Sequence, residues 1–338
     1  MATEEINRTV TQKWYRSPIE PGELRALNQR SDFKGFLQAL GHLGLLAVTG
    51  GTACYAAGRW PWPIVLLILF AHGTFYVFLL NGFHELCHNT VFKTRWLNTV
   101  FLRIFSFLGK FSYPMFLASH TTHHQYTLHP PKDLEVVLPM PITLRSFFLT
   151  GFVDPPGIYN SLKSHVQFAF GILDGEWPNT LFPDSDPKKR RQLFNWSRIV
   201  LVGHAAIAIV SIYFGYWMIP VVITLAPHYG SWLLFLCNNT QHVGLQDNVP
   251  DYRLCCRTII LNPFVQFLYW HMNFHTEHHM YAAVPCYNLG KLHKCIKDDL
   301  QPCPKGLVAT WREIAMILKK QKEDPAYQFV AQLPNPGK

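Results

Sequence analysis

The chain has 338 residues, 49% of them hydrophobic and only 15% charged, with a net charge of +9 and a mean hydropathy of +0.06. It is too apolar for an ordinary soluble domain and too polar to lie wholly in lipid, so one part is embedded and another stands outside. The positive charge suits an anionic lipid surface, and since the aromatic-interleaved basic pattern of nucleic-acid binders is missing, no nucleic-acid partner is expected.

Residues 1–31 are polar and mixed in charge, without the short apolar core and small-residue cleavage site of a signal peptide. Residues 1–35 therefore read as an N-terminal segment, and the first membrane helix as the targeting signal. The first predicted span covers 36–57, where Gly35, Ala39, Ala47 and Gly51 allow close helix packing. Gly58-Arg59-Trp60-Pro61-Trp62 follows as a turn with interfacial aromatics, and a second span covers 63–82. Residues 97–117 are apolar but carry Arg103 and Lys110, seven apart and hence on one helical face. That segment reads as a helix in the membrane interface or a buried helix of an extramembrane cap.

Residues 178–187 read as a loop, and Lys188-Lys189-Arg190-Arg191 as a basic cluster before a membrane entry. A third span is predicted at 199–214 and a fourth at 219–237, joined by the aromatic turn Gly215-Tyr216-Trp217-Met218. Residues 306–321 form an amphipathic helix with Trp311, Ile314, Ile317 and Leu318 on one side. The predicted units are thus 1–35, a membrane-and-cap unit at 36–300, and a C-terminal helix and tail at 301–338.

The two hairpin turns hold only Arg59, whereas the N-terminus, 83–198 and the C-terminal third hold nearly all other lysines and arginines. The positive-inside rule puts those three regions, and both termini, in the cytosol. The predicted fold class is all-α integral membrane: four transmembrane helices in two hairpins under a cytosolic helical cap that holds a metal site. The eight cysteines form no CxxC pair and are expected as reduced thiols.

Seventeen histidines are present, and eight fall into three boxes: HxxxH at His84 and His88, HxxHH at His120, His123 and His124, and HxxHH at His275, His278 and His279. Residues three and four apart share a helical face, so each box presents its imidazoles together. A single zinc takes about three or four protein ligands, so this supply fits two metals better. Imidazole suits iron, copper, nickel and zinc, whereas calcium and magnesium take oxygen ligands. A pair of irons open to dioxygen can attack an unactivated C–H bond.

A ninth imidazole, His242, follows Asn238 by four at the end of the fourth span, on the side of the three boxes. The nine can be shared four and five between two ions, with Asn238 holding a water. Glu85, Asp133, Glu135 and Glu277 flank the boxes and can accept the free ring N–H of ligand histidines; His271, four before His275, is a further candidate for that outer layer. His42, His72, His204 and His228 lie within spans, where bonding to a neighbouring helix is the default, and His228 is the best of them for lining a substrate channel.

With these motifs in this order, the chain resembles the membrane fatty acid desaturases, a superfamily that includes lipid hydroxylases, over residues 36–300. The resemblance implies a four-helix membrane stem, a helical cap and two non-haem irons held by the eight box histidines and His242. It implies dioxygen as co-substrate, a lipid or lipid-like chain as substrate, and localisation in the endoplasmic reticulum or a bacterial inner membrane. No haem domain is fused and no GxGxxG fingerprint follows a strand, so electrons are expected from a separate carrier, cytochrome b5 or a ferredoxin with its reductase.

Desaturation is the expected reaction; hydroxylation of a lipid, isoprenoid or polyketide chain is the alternative on the same scaffold. Box one also reads HExxH, the zinc-protease motif with Glu85 as general base. That reading leaves the other histidines unexplained. A metal transporter is the non-enzymatic rival, but transport sites lie near the bilayer midplane, not beyond it.

Overall fold

The computed structural model describes residues 13–334; residues 1–12 of the predicted N-terminal segment and 335–338 of the tail lie outside the described residues. In chain order the helices are α1 (Pro21–Leu27), α2 (Asp32–Ala56), α3 (Trp62–Tyr76), α4 (Leu79–Cys87), α5 (Arg95–Gly109), α6 (Tyr113–Tyr126), α7 (Leu144–Gly151), α8 (Pro155–Ala169), α9 (Glu176–Leu181), α10 (Pro187–Tyr213), α11 (Met218–Val222), α12 (Trp232–Asn238), α13 (Tyr252–Cys255), α14 (Pro263–Leu268), α15 (His275–Met280), α16 (Cys286–Ile296) and α17 (Gly306–Glu323). The described residues contain isolated bridges but no strand.

Three helices are long and apolar enough to cross a bilayer: α2, the α3–α4 unit from Trp62 to Cys87, and α10. Their polarity is inverted relative to a soluble helix. On α2, Leu37, Leu40 and Val48 face outward while Gln38 and His42 are buried, and on α10 Val202 and Ile209 face outward while His204 is buried. Inside, these polar groups are satisfied by neighbouring helices: the His42 ring bonds the Phe75 carbonyl at 3.0 Å, and the His204 ring bonds the Phe107 carbonyl at 2.8 Å. An outward apolar belt over a hydrogen-bonded interior is what lipid as solvent demands.

Two predicted elements take a different form. The fourth span, expected as a continuous helix at 219–237, is broken into α11, a 3₁₀ turn at Ala226–His228 and α12. Pro227 and Gly230 cause the break. Gly230 has a φ of +76°, and a Cβ there would come within 2.5 Å of the Thr74 backbone nitrogen, so the turn admits only glycine. The freed backbone groups pair with the chain before α8: Gly230 N donates to Phe152 O and Asp154 N to His228 O, both at 2.8 Å.

The expected single helix at 97–117 is likewise two helices, α5 and α6, bent by 109°. Lys110 ends α5 in the left-handed region, φ 54°. Its side chain therefore leaves the face carrying the exposed Arg103 and turns inward. The basic cluster at 188–191 lies on the first turns of α10, with Asp186 capping at Lys189 N, 2.9 Å. Lys189 and Arg190 donate to the Leu181 and Phe182 carbonyls, fastening α9 to α10.

The amphipathic α17 packs on the fold, burying Ile314 and Ile317 and donating the Trp311 indole to Leu236 O at 3.0 Å. All eight cysteines are free thiols.

Candidate metal centre

Box one ends α4, box two ends α6, and box three fills α15, six residues from His275 to Met280. His242 comes from the turns after α12, so it reaches the boxes from a fourth element. Arg257, 1% exposed, fixes that turn by donating to Thr240 O at 2.7 Å and Val243 O at 3.2 Å, and it contacts Glu313 of α17 at 3.3 Å.

The side chains gather into two adjoining groups whose donor atoms lie within 4.8 Å of one another. His84, His88, His120, His124 and His278 form the first; His242, Cys256, His275 and His279 form the second. His123 stands beside the second, its ring 5.0 Å from His279 and 5.3 Å from His242. The rings of His124 and His279 stack at 4.3 Å and join the two groups.

Six of the nine imidazoles are oriented from behind. His120 donates Nδ1–H to Glu135 at 2.7 Å, His123 to Asp133 at 2.8 Å and His84 to Glu85 at 3.2 Å. Asp133 is locked in turn by the Leu128 and Glu135 backbone amides, each at 2.9 Å. His242 donates to Cys255 O at 2.7 Å, and His275 faces Met272 Sδ at 3.2 Å. Thr127 spends its own proton on His123 O, so its oxygen accepts from His279 Nδ1 at 3.2 Å.

With Nδ1 protonated on these rings, every Nε2 turns a lone pair inward. His242 and His275 then oppose Nε2 atoms at 2.9 Å, and His275 and His279 at 3.2 Å, with no proton left to share between them. Such contacts repel unless a cation lies between. Two cis nitrogens each about 2.1 Å from one ion are about 3.0 Å apart, so the spacing fits metal ligands.

Burial, with repulsion from neighbouring imidazoles, holds His88 down to about 4 and His242 to about 3, and pushes His275, His278 and His279 well below the ordinary 6.5. The rings are neutral at pH 7 and free to bind metal. His88 Nε2 is buried with no hydrogen-bond partner, as expected of a nitrogen reserved for an ion.

Several sequence expectations land elsewhere. Glu277 accepts from His293 and Thr258, each at 2.5 Å, and bonds no box histidine among the described residues. It lies two positions after His275, and residues two apart do not share a helical face. His271 turns to Gln266 at 3.0 Å and stays outside both groups. Asn238, the last residue of α12, meets the Asn81 amide at 3.4 Å and lines a cavity of about 310 Å³. Glu85 approaches His278 Nδ1 only to 3.4 Å, an ion-pair distance.

His228 lines an adjoining cavity of about 500 Å³ with Phe83, Phe116 and Glu135. Phe116 stacks on His120 at 4.8 Å, so this cavity ends one ring away from the first group. Another cavity, about 270 Å³, is lined by His88, His120 and His124. Thr127, Met272, Cys255, Cys256 and His293 were not foreseen. Thr127, four after His123, and Met272, three before His275, had a helical-spacing signal; the other three had none.

The sequence matches the family model described as Fatty acid desaturase over residues 58–311, most of its length. The chain belongs to the fatty acid desaturase family. A comparison with curated proteins found no match. Membership implies a membrane oxidoreductase of the non-haem di-iron type that acts on lipid chains, and the two histidine groups are clusters that could each hold a metal ion.

The zinc-protease reading of box one asks for a glutamate free to act as a base. This desaturase family member instead places box one inside a group of five imidazoles drawn from all three boxes.

Proposed function

We propose that this protein is a membrane-bound, dioxygen-dependent oxidoreductase that introduces a double bond into the hydrocarbon chain of a lipid or lipid-like substrate. The observation that carries it is the meeting of nine imidazoles in two adjoining groups beside an apolar-walled cavity. His84, His88, His120, His124 and His278 would hold one iron; His242, His275, His279 and His123 the other. When bound, the irons supply oxidising power sufficient for an unactivated C–H bond.

The chain's own residues do the rest. Glu135, Asp133 and Glu85 keep Nδ1 protonated and Nε2 aimed inward, raising ligand basicity. Phe83 and Phe116 form an apolar wall that sets which carbon approaches the centre, and His228 lines the far part of that channel. The opening at His88, His120 and His124 gives a separate carrier, of cytochrome b5 or ferredoxin type, a short path to the metal ligands. Both termini lie in the cytosol in this reading, with the endoplasmic reticulum or a bacterial inner membrane as the site.

The test is mass analysis of lipids from a host expressing the chain with a donor system, alongside iron content. Loss of two hydrogens from a lipid, with two irons per chain, supports desaturation. Gain of one oxygen replaces it with the hydroxylase reading, and a single zinc per chain overturns both.

A further inference from the structure

The 500 Å³ cavity has apolar lining from Leu80, Phe83, Phe111 and Phe116, and Lys110 lines it together with Ser161, Ser164 and His165. Lys110 is placed there by backbone geometry. Its left-handed cap turns the side chain away from Arg103, the His165 ring bonds its carbonyl at 2.9 Å, and the His204 ring holds Phe107 O in the turn before it. Three side-chain contacts from α8 and α10 thus fix this turn and one ammonium at the cavity wall: the Trp196 indole also donates to Phe111 O at 2.8 Å.

The ammonium donates to His228 Nε2 at 2.6 Å, a neutral partner. Among the described residues no carboxylate lies within 4.0 Å of it. The two acids that line the same cavity point to other partners, Asp154 capping Gly157 N at 2.9 Å and Glu135 holding His120, and neither reaches within 4.0 Å of the ammonium. A half-buried cation without a counter-ion is costly for the protein alone and favourable only when a ligand brings the opposite charge.

On the reading of this cavity as the substrate channel, we propose that Lys110 binds the anionic head of a single-chain amphiphile, a carboxylate or a phosphate, whose hydrocarbon tail runs along Phe83 and Phe116 toward the histidines. The cavity and its 310 Å³ neighbour share Leu80, Gly109, Phe111, Pro227 and Asp154, so the two adjoin along a seam that is apolar except for Asp154. Their size lies in the usual range for a ligand of this kind. A lysine is a point charge suited to either head, with no demand for the bidentate geometry of arginine.

The test uses the iron-loaded, full-length protein in neutral detergent, titrated with the fluorescent polyene parinaric acid and with its methyl ester. The acid is expected to bind about tenfold tighter than the ester, the effect of one charge-assisted contact. Lys110→Met should abolish that preference by weakening the acid alone, and Lys110→Arg should retain it. Competition by hexadecanoate and by hexadecyl phosphate identifies the head: displacement by both means charge alone is read, by one only that its geometry is read.

An unchanged preference in Lys110→Met, or equal binding of acid and ester by the wild type, overturns the proposal. Should Lys110→Met not fold, Lys110→Gln replaces it, with iron content as the check on folding. Iron retained with no acid preference sinks the anion site alone; iron absent from the wild type sinks the di-iron reading instead.

Discussion

The two histidine groups are built from the same side chain but supported differently. The first is backed by carboxylates, Glu85 on His84 and Glu135 on His120. Three of the second group's rings lean on neutral partners, a carbonyl, a thioether and a hydroxyl, and only His123 at its edge meets an acid, Asp133. A carboxylate behind an imidazole makes it a stronger donor and stabilises the higher charge on a metal. The two groups therefore differ in ligand basicity: carboxylate-backed rings stand in the first, and mostly neutral-backed rings in the second.

Ligand deletion should show this most strongly. His124→Ala and His275→Ala each remove a nitrogen from one group, and each is expected to cut activity by more than the roughly 100-fold that outer partners carry. Metal analysis should show about one iron lost per chain in each case; two irons retained in either variant would break the division into two groups. Next come the supporting residues. Glu135→Gln should weaken iron retention about 10-fold or more, Thr127→Val only a few-fold, as measured by chelator competition, and equal effects would erase the contrast.

The pH response of the metal-free protein is a smaller effect. His88 and His242 have folded values depressed from 6.5 to about 4 and about 3. The unfolded chain thus binds more protons than the folded one between those values. Their contribution to stability is fully present above about pH 6.5 and is lost as pH falls toward 4 and then 3. Denaturation midpoints flat across that window would remove the neutral-imidazole account. The least effect belongs to His271→Ala, which should leave iron content unchanged because its ring bonds Gln266.

How much of this could be read from the amino acids follows from what spacing encodes. Box residues repeat one chemistry at helical intervals, so their convergence was legible before any coordinates. Asp133 and Glu135, ten and fifteen positions from their partners, were legible as nearby acids. Glu277 was misjudged because proximity in sequence to His275 and His278 says nothing about which side of a six-residue helix it faces. The fourth span was read as continuous because hydropathy averages over Pro227 and Gly230, whose effect comes from packing against Thr74. Cys256 reaches the second group through a fold contact with no periodic signature.

Arg257 joins the turn carrying His242 to Glu313 near the end of the chain. A ribosome releases that glutamate after all three boxes, so this tie on the turn is the last of Arg257's contacts to form, after those to Thr240 O and Val243 O. A protein shortened ahead of Gly306 is therefore expected to insert in membranes yet hold metal more weakly at the second group, as read by a pull-down and metal assay.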